Sequence, residues 1–214
     1  MSGPFALPST PNTSDTEQLH SDTTLACQSM LADRFRILSP LGNGAQATVY
    51  RAHDELLNIE VAIKLLIGAA ANPHQMQTLR NEVLVARKIQ HSNIIRVHDV
   101  FADGENAFFT MQLVSGLPLN ERLLRSTRPQ QYEQWRLDLL EAVLACQTAG
   151  IHHGDIKPDN ILITDEDRLM LIDFGIGHTV DTCHQTSGNR QYAAPEVIDS
   201  GISTLQSDTY SAGV

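Results

Sequence analysis

The sequence predicts an α+β fold, and three observations carry that prediction. Runs at Arg34–Ser39, Ile59–Ile67 and Ala107–Leu113 alternate or are continuously apolar over strand length. Longer runs at Pro73–Ile89 and Pro129–Ala149 repeat apolar residues three and four apart, as helices do. Between the second helix and two more short strands, Asn160–Thr164 and Leu169–Ile172, lies a loop dense in polar chemistry.

Composition narrows the class. A chain of 214 residues can bury a sizeable core in one large domain or two lobes. Hydrophobic residues make up 42% and charged residues 19%, ordinary for a soluble globular protein. A net charge of −10 argues against a general nucleic-acid binder or a polybasic membrane-surface protein. Cys27, Cys146 and Cys183 are widely spaced, form no metal-type pair and point to a reducing, cytoplasmic setting. No secretory signal opens the chain, and no apolar run reaches the length of a membrane span.

The elements follow in order. Residues 1–30 are rich in Ser, Thr and Pro and poor in large apolar side chains, so they read as a disordered leader. A short helix is expected within it at Leu25–Leu31. After the first strand, LGNGAQATVY (Leu41–Tyr50) carries Gly42 and Gly44, which permit a tight turn with N–H groups facing a phosphate. A plain hairpin turn is the commoner use of such a pair. The strand Ile59–Ile67 holds one lysine, Lys64, and a lysine in an apolar run needs a partner. Leu79, Val83, Ala86 and Ile89 form the apolar face of the next helix, and Glu82 is the one acid between Lys64 and Asp99. Asp103-Gly104 is a hairpin signal. Leu119–Ser126 reads as a short helix. The longer helix after it carries Trp135, Leu139, Val143 and Ala145 as core residues and stops at Gly150, a C-cap.

The chemistry concentrates in IHHGDIKPDNILI, Ile151–Ile163. Asp155 can accept a proton, Lys157 can hold a phosphate oxygen and Asn160 can ligate magnesium. A few residues on, Asp173 stands at the end of an apolar run and before the turn at Gly175, placed for a hard, oxygen-loving metal. In this order the groups are the equipment of phosphoryl transfer.

From about Phe35 to Val214 the chain resembles a eukaryotic-type serine/threonine protein kinase of the kind also found in bacteria. The resemblance implies a bilobal fold, with residues 31–113 as an N-lobe of antiparallel sheet plus one helix. Residues 114–214 would form part of a mainly helical C-lobe. It implies ATP and magnesium as cofactors and a protein substrate. Gly42, Gly44 and Val49 would cover the nucleotide, and Lys64, set by Glu82, would grip its phosphates. Met111 would guard the pocket behind a hinge at Val114–Gly116, where the backbone of Gln112–Val114 meets adenine. Leu41, Asn43, Ala62, Leu113 and Leu162 complete the nucleotide-binding set. Asp155 and Lys157 become the catalytic residues, and Asn160 and Asp173 the magnesium ligands. Lys157-Pro158 favours serine/threonine over tyrosine kinases. Asp208, in SDTYSAGV, would brace the catalytic loop, and the family continues beyond Val214, so the sequence reads as a fragment.

Four positions depart from the family pattern: Ala47 for a third glycine, Gln112 for an acid, Gly154 for the arginine of H-R-D, and Asn189 for threonine. Without that arginine, no fixed guanidinium meets a phosphate on the activation segment, Asp173–Glu196. Thr179, Thr182, Thr186 and Ser187 are its candidate phosphosites. Two other readings stay open: a small-molecule phosphotransferase of the aminoglycoside-kinase type, which shares the H-G-D habit, and an inactive pseudokinase.

Overall fold

The computed structural model describes residues 25–43, 47–66, 68–125, 128–173 and 191–214, with the side chains of Thr78 and Glu82 outside that description. Six strands form the first sheet: β1 (Met30–Leu31), β2 (Phe35–Asn43), β3 (Thr48–Asp54), β4 (Ile59–Leu66), β5 (Val97–Asp103) and β6 (Asn106–Gln112). Their order is β1-β2-β3-β4-β6-β5 and every pairing is antiparallel. One helix, α1 (Pro73–Ala86), connects β4 to β5. Pro73 suits its first turn, and the Asn72 side chain accepts from the N–H groups of His74 (3.0 Å) and Gln75 (3.4 Å).

Period-two alternation divides this sheet between two cores. Val61, Ile63 and Leu65 join Phe35, Ile37, Tyr50 and Phe108 on one face. Ala62 faces the other way, into a cluster with Phe109, Met111 and the α1 residues Met76, Leu79 and Val83. Lys64 shares the parity of Ala62, so its stem runs along that second face, toward the cleft.

Residues 25–31 are not the helix expected of them. Gln28 donates to the carbonyl of Ile37 (2.8 Å), Ile37 donates to Ser29 (2.9 Å), and Met30 pairs with Arg36. A seven-residue helix is marginal in isolation, whereas the free edge of β2 offers a row of unpaired groups. The sheet therefore begins inside the stretch read as leader.

The second half starts with β7 (Gly116–Pro118), which pairs with β8 (Ile161–Thr164), itself paired with β9 (Leu169–Leu171). Gly116, expected within the hinge, is thus a strand residue. A Cβ there would lie 2.3 Å from the carbonyl oxygen of Ile163, so only glycine fits the approach. The helix α2 (Leu119–Arg122) is one turn long, shorter than expected, and no side chain caps its start. The long helix α3 (Pro129–Thr148) buries Trp135, Asp138, Ala142, Val143 and Cys146. Two short helices close the described chain, α4 (Pro195–Ser200) and α5 (Leu205–Gly213), the latter started by a reciprocal cap between Thr204 and Ser207.

The two halves are sewn together beside the cleft. Ile95 donates to Leu171 (2.9 Å), Leu171 donates to Asn93 (2.7 Å), and the buried Asn93 amide donates to Leu169 (2.9 Å). The cluster behind α1 continues without a break into Trp135, Ile163 and Leu171. Among the described residues no helix is long and apolar enough to cross a membrane.

Candidate active site

The polar loop lies between α3 and β8, and Asp208 of α5 sets its shape. That carboxylate is 3% exposed and accepts from the backbone N–H groups of His153 and, at 2.9 Å, Gly154. Gly154 has φ +81°, a conformation that side chains other than glycine's rarely adopt. A Cβ there would also stand 3.5 Å from His152 Nδ1 and 3.6 Å from Ser203 Oγ. This backbone suits the glycine that replaces arginine.

His153 is fully buried. Its Nδ1 accepts from the N–H of Asp155 (3.3 Å) and its Nε2 sits 2.9 Å from the carbonyl of Ile172, so Nε2–H is the donor. Burial pushes its pKa below the usual imidazole range, although the charge of Asp208 pulls the other way. A neutral ring thereby ties the residue before Asp173 to the backbone of Asp155.

Asp155 is held from two sides. Lys157 Nζ donates to its Oδ2 at 2.7 Å, and so does Asn160 Nδ2 at 2.7 Å. The Asn160 amide also reaches the Asp155 carbonyl (2.8 Å). The amide nitrogen is therefore committed, and the amide oxygen is the group left for a cation. A 3-10 turn, Pro158–Asn160, makes this geometry, and the N–H of Ile172 donates to the Asn160 carbonyl at 2.9 Å. That bond brings Asp173, at φ +63°, alongside.

Lys64 Nζ forms an ion pair with Asp173 Oδ1, joining β4 to the strand end after β9. The Glu82 side chain, expected as the lysine's partner, lies outside the described residues. Ala62 and Met111 are cross-strand neighbours, and Val49 stands opposite Lys64. Leu162 lies on β8, opposite Pro118 and Met170. Gly42 needs no special conformation: it pairs with Val49 while Asn43 pairs with Thr48, so β2 runs through Gly42 and ends at Asn43. Leu41 is exposed on the same strand. The N–H of Gln112 already donates to the carbonyl of Arg96 (2.8 Å), which removes it as a hinge donor. Gly44, Cys183, Asn189 and the four candidate phosphosites lie outside the described residues.

Asn160 and Asp173 fit magnesium chemically, as hard amide and carboxylate oxygens of the kind this ion takes alongside water and phosphate. Among the described residues, no group of three or more His, Cys, Asp or Glu could hold a metal by itself. Sequence reading missed three supports. They are the buried ring of His153, the Asn93 amide, and Asp138, which accepts from Leu169 N at 3.3 Å and Gln134 Nε2 at 2.9 Å. A polar residue on an otherwise apolar stripe was the available signal for Asp138.

Residues 35–214 match the protein kinase domain model, and the chain belongs to that family. It is 34% identical over 199 residues to the serine/threonine-protein kinase PknA of Mycobacterium tuberculosis, covering 86% of this chain and 46% of that protein. A probable serine/threonine-protein kinase of Bifidobacterium longum is 33% identical over 196 residues, with 86% of this chain and 26% of the relative covered. CBL-interacting protein kinase 5 of rice is 30% identical, with 87% and 42% covered. The chain thus spans less than half the length of these relatives.

Proposed function

We propose that this chain transfers the γ-phosphoryl group of ATP to serine or threonine of a protein substrate. The observation that carries the reading is convergence: Lys64 reaches Asp173, while Lys157 and Asn160 hold Asp155 one short strand pair away. Asp155 orients the substrate hydroxyl and accepts its proton as the new oxygen–phosphorus bond forms and the bond from the γ-phosphorus to the β–γ bridging oxygen breaks, releasing ADP. Lys157 neutralises charge on the moving phosphoryl, and Lys64 grips the α- and β-phosphates. Met111 and Ala62 wall the adenine pocket, and hinge backbone other than the Gln112 N–H meets the base. Asn160 and Asp173 would hold magnesium, which screens the charge of the phosphates when bound.

The buried His153 ring and Asp208 keep Asp155 in register without touching substrate. The test is phosphate transfer from ATP to casein compared with transfer to aminoglycosides and choline. Protein should be labelled and the small alcohols should not. Asp155→Asn should lower transfer by about 10²–10⁴-fold while nucleotide binding persists. Labelling of small alcohols alone, or full activity in Asp155→Asn, would refute the assignment.

A further inference from the structure

We propose that the acidic leader of this chain, residues 1–24, docks on the basic outer face of α1 and in the groove beside it. The chain is acidic overall, yet residues 61–98 hold five basic residues, Lys64, Arg80, Arg87, Lys88 and Arg96, against one acid, Glu82. Lys64 points into the cleft, and the other four are exposed. Arg80 and Leu84 stand four apart on α1, and Arg87 and Lys88 continue the stripe in the turn that ends the helix. It borders the face that carries Met76, Leu79, Val83 and Ala86 into the core, and its own side chains are exposed. Leu84 on this stripe is 58% exposed, an apolar anchor between cations.

The stripe runs into a groove of about 470 Å³. Lys88, Ile89 and His91 form one wall, and Leu144, Thr148 and Glu141 of α3 the other. Glu141 opposes an acidic ligand, and Arg87 spans 2.8 Å to Asp99 on the surface. Exposed pairs of that kind are weak and exchangeable.

The leader is the complementary segment. Residues 1–24 carry Asp15, Glu17 and Asp22, no lysine or arginine, and the apolar residues Phe5, Leu7 and Leu19. They are tethered where the Leu25 N–H bonds the Tyr50 hydroxyl at 2.9 Å. Twenty-four residues reach up to about 80 Å when extended, so every part of α1 is within range. Tethering supplies a millimolar effective concentration, which lets weak charge pairing suffice. Since α1 carries Glu82, a segment held on its outer face restrains the helix that sets Lys64. That regulatory consequence rests on the kinase reading, whereas the docking itself does not, so the two can fail separately.

The test uses the full chain and zero-length carbodiimide coupling of carboxylates to lysines. The sequence has three lysines, Lys64, Lys88 and Lys157, and Lys88 is the one on this face. Mass spectrometry should find Lys88 joined to Asp15, Glu17 or Asp22 within one chain. The yield should fall at least about fivefold at about 0.5 M salt, where screening is severe. It should fall likewise in the Arg80→Glu/Arg87→Glu chain. Coupling only to Lys157, only between isotopically distinct copies, or independent of salt overturns the proposal. Hydrogen exchange supplies a second readout. Amides of α1 should exchange at least about threefold faster in Asp15→Asn/Glu17→Gln/Asp22→Asn, and unchanged exchange also overturns it.

Discussion

Asp54 and Asp208 are both buried carboxylates that hold a turn by its backbone N–H groups, in opposite electrostatic company. Asp54 accepts from Leu56 (3.0 Å) and Leu57 (3.2 Å) in the turn after β3, and Arg34 clamps it at 2.9 and 2.6 Å. The arginine's hydrogen bonds hold its pKa below the usual carboxylate range, against the opposing effect of burial. Asp208 holds the turn before Asp155 with no arginine or lysine paired to it among the described residues. Away from the cleft, the molecule neutralises its buried charge for stability. At the candidate site, the carboxylate of Asp208 lies beside the neutral ring of His153 with no such partner among the described residues.

Breaking each clamp tests this contrast. Asp54→Ala strands Arg34 and two N–H groups and should cost about 3 kcal/mol of stability, near the low end for a broken buried pair because Arg34 is partly exposed. Thermal unfolding measures that loss, and phosphate transfer by the folded fraction should not change. Asp208→Asn keeps one acceptor and should cost about 1–3 kcal/mol. Its transfer rate should fall at least about tenfold with nucleotide binding retained. Equal effects of both substitutions on transfer would dissolve the distinction.

Gly116→Ala probes the junction of the two regions. Its methyl group meets the carbonyl of Ile163, so β7 must shift from β8, at about 1–3 kcal/mol. An unchanged melting temperature would mean that this strand pair yields freely.

Acid should separate the regions by pH. The pKa of His153 is depressed by burial, so below about pH 6.5 the unfolded chain binds a proton that the folded chain resists. Stability should therefore fall as pH drops through about 6.5 toward 5. Half-buried His98, depressed by burial and by Arg96, acts in the same direction. The difference between the parent chain and His153→Gln isolates the turn before Asp155: the variant should show a shallower decline. Asp54, with its pKa lowered from 3.8, keeps its stabilising contribution until more acid conditions, below the unfolded value.

The smallest effect should be a gain. Ala32 and Asp33 both sit at φ +50° as the central residues of the turn from Leu31 to Arg34, which the Arg34 N–H closes on the Leu31 carbonyl at 3.1 Å. Asn-Gly suits that backbone, so Ala32→Asn/Asp33→Gly should add about 0.5–1 kcal/mol in chemical unfolding.

Much of this architecture was legible. Alternation in β4 decided which residues face which core, and the apolar stripe of α3 announced its buried side. The order Lys64, Asp155, Asn160, Asp173 announced phosphoryl-transfer chemistry. Other features left no local trace. Nothing near Leu25–Leu31 says that the edge of β2 is free to take it. Nothing near Gly116 says that a carbonyl will approach within contact. The ring of His153 and the amide of Asn93 read as ordinary polar residues until their distant partners, Ile172 and Leu169, are in place.

The sequence by itself determined the period of each element, the side chains on each face and the stock of chemical groups, because these depend on residues a few positions apart. The tertiary structure alone decided that Lys64 meets Asp173 and that the Asn93 amide reaches the carbonyl of Leu169 across the two halves. Such pairs are joined by long loops whose closure is settled only when the lobes dock on their shared apolar core.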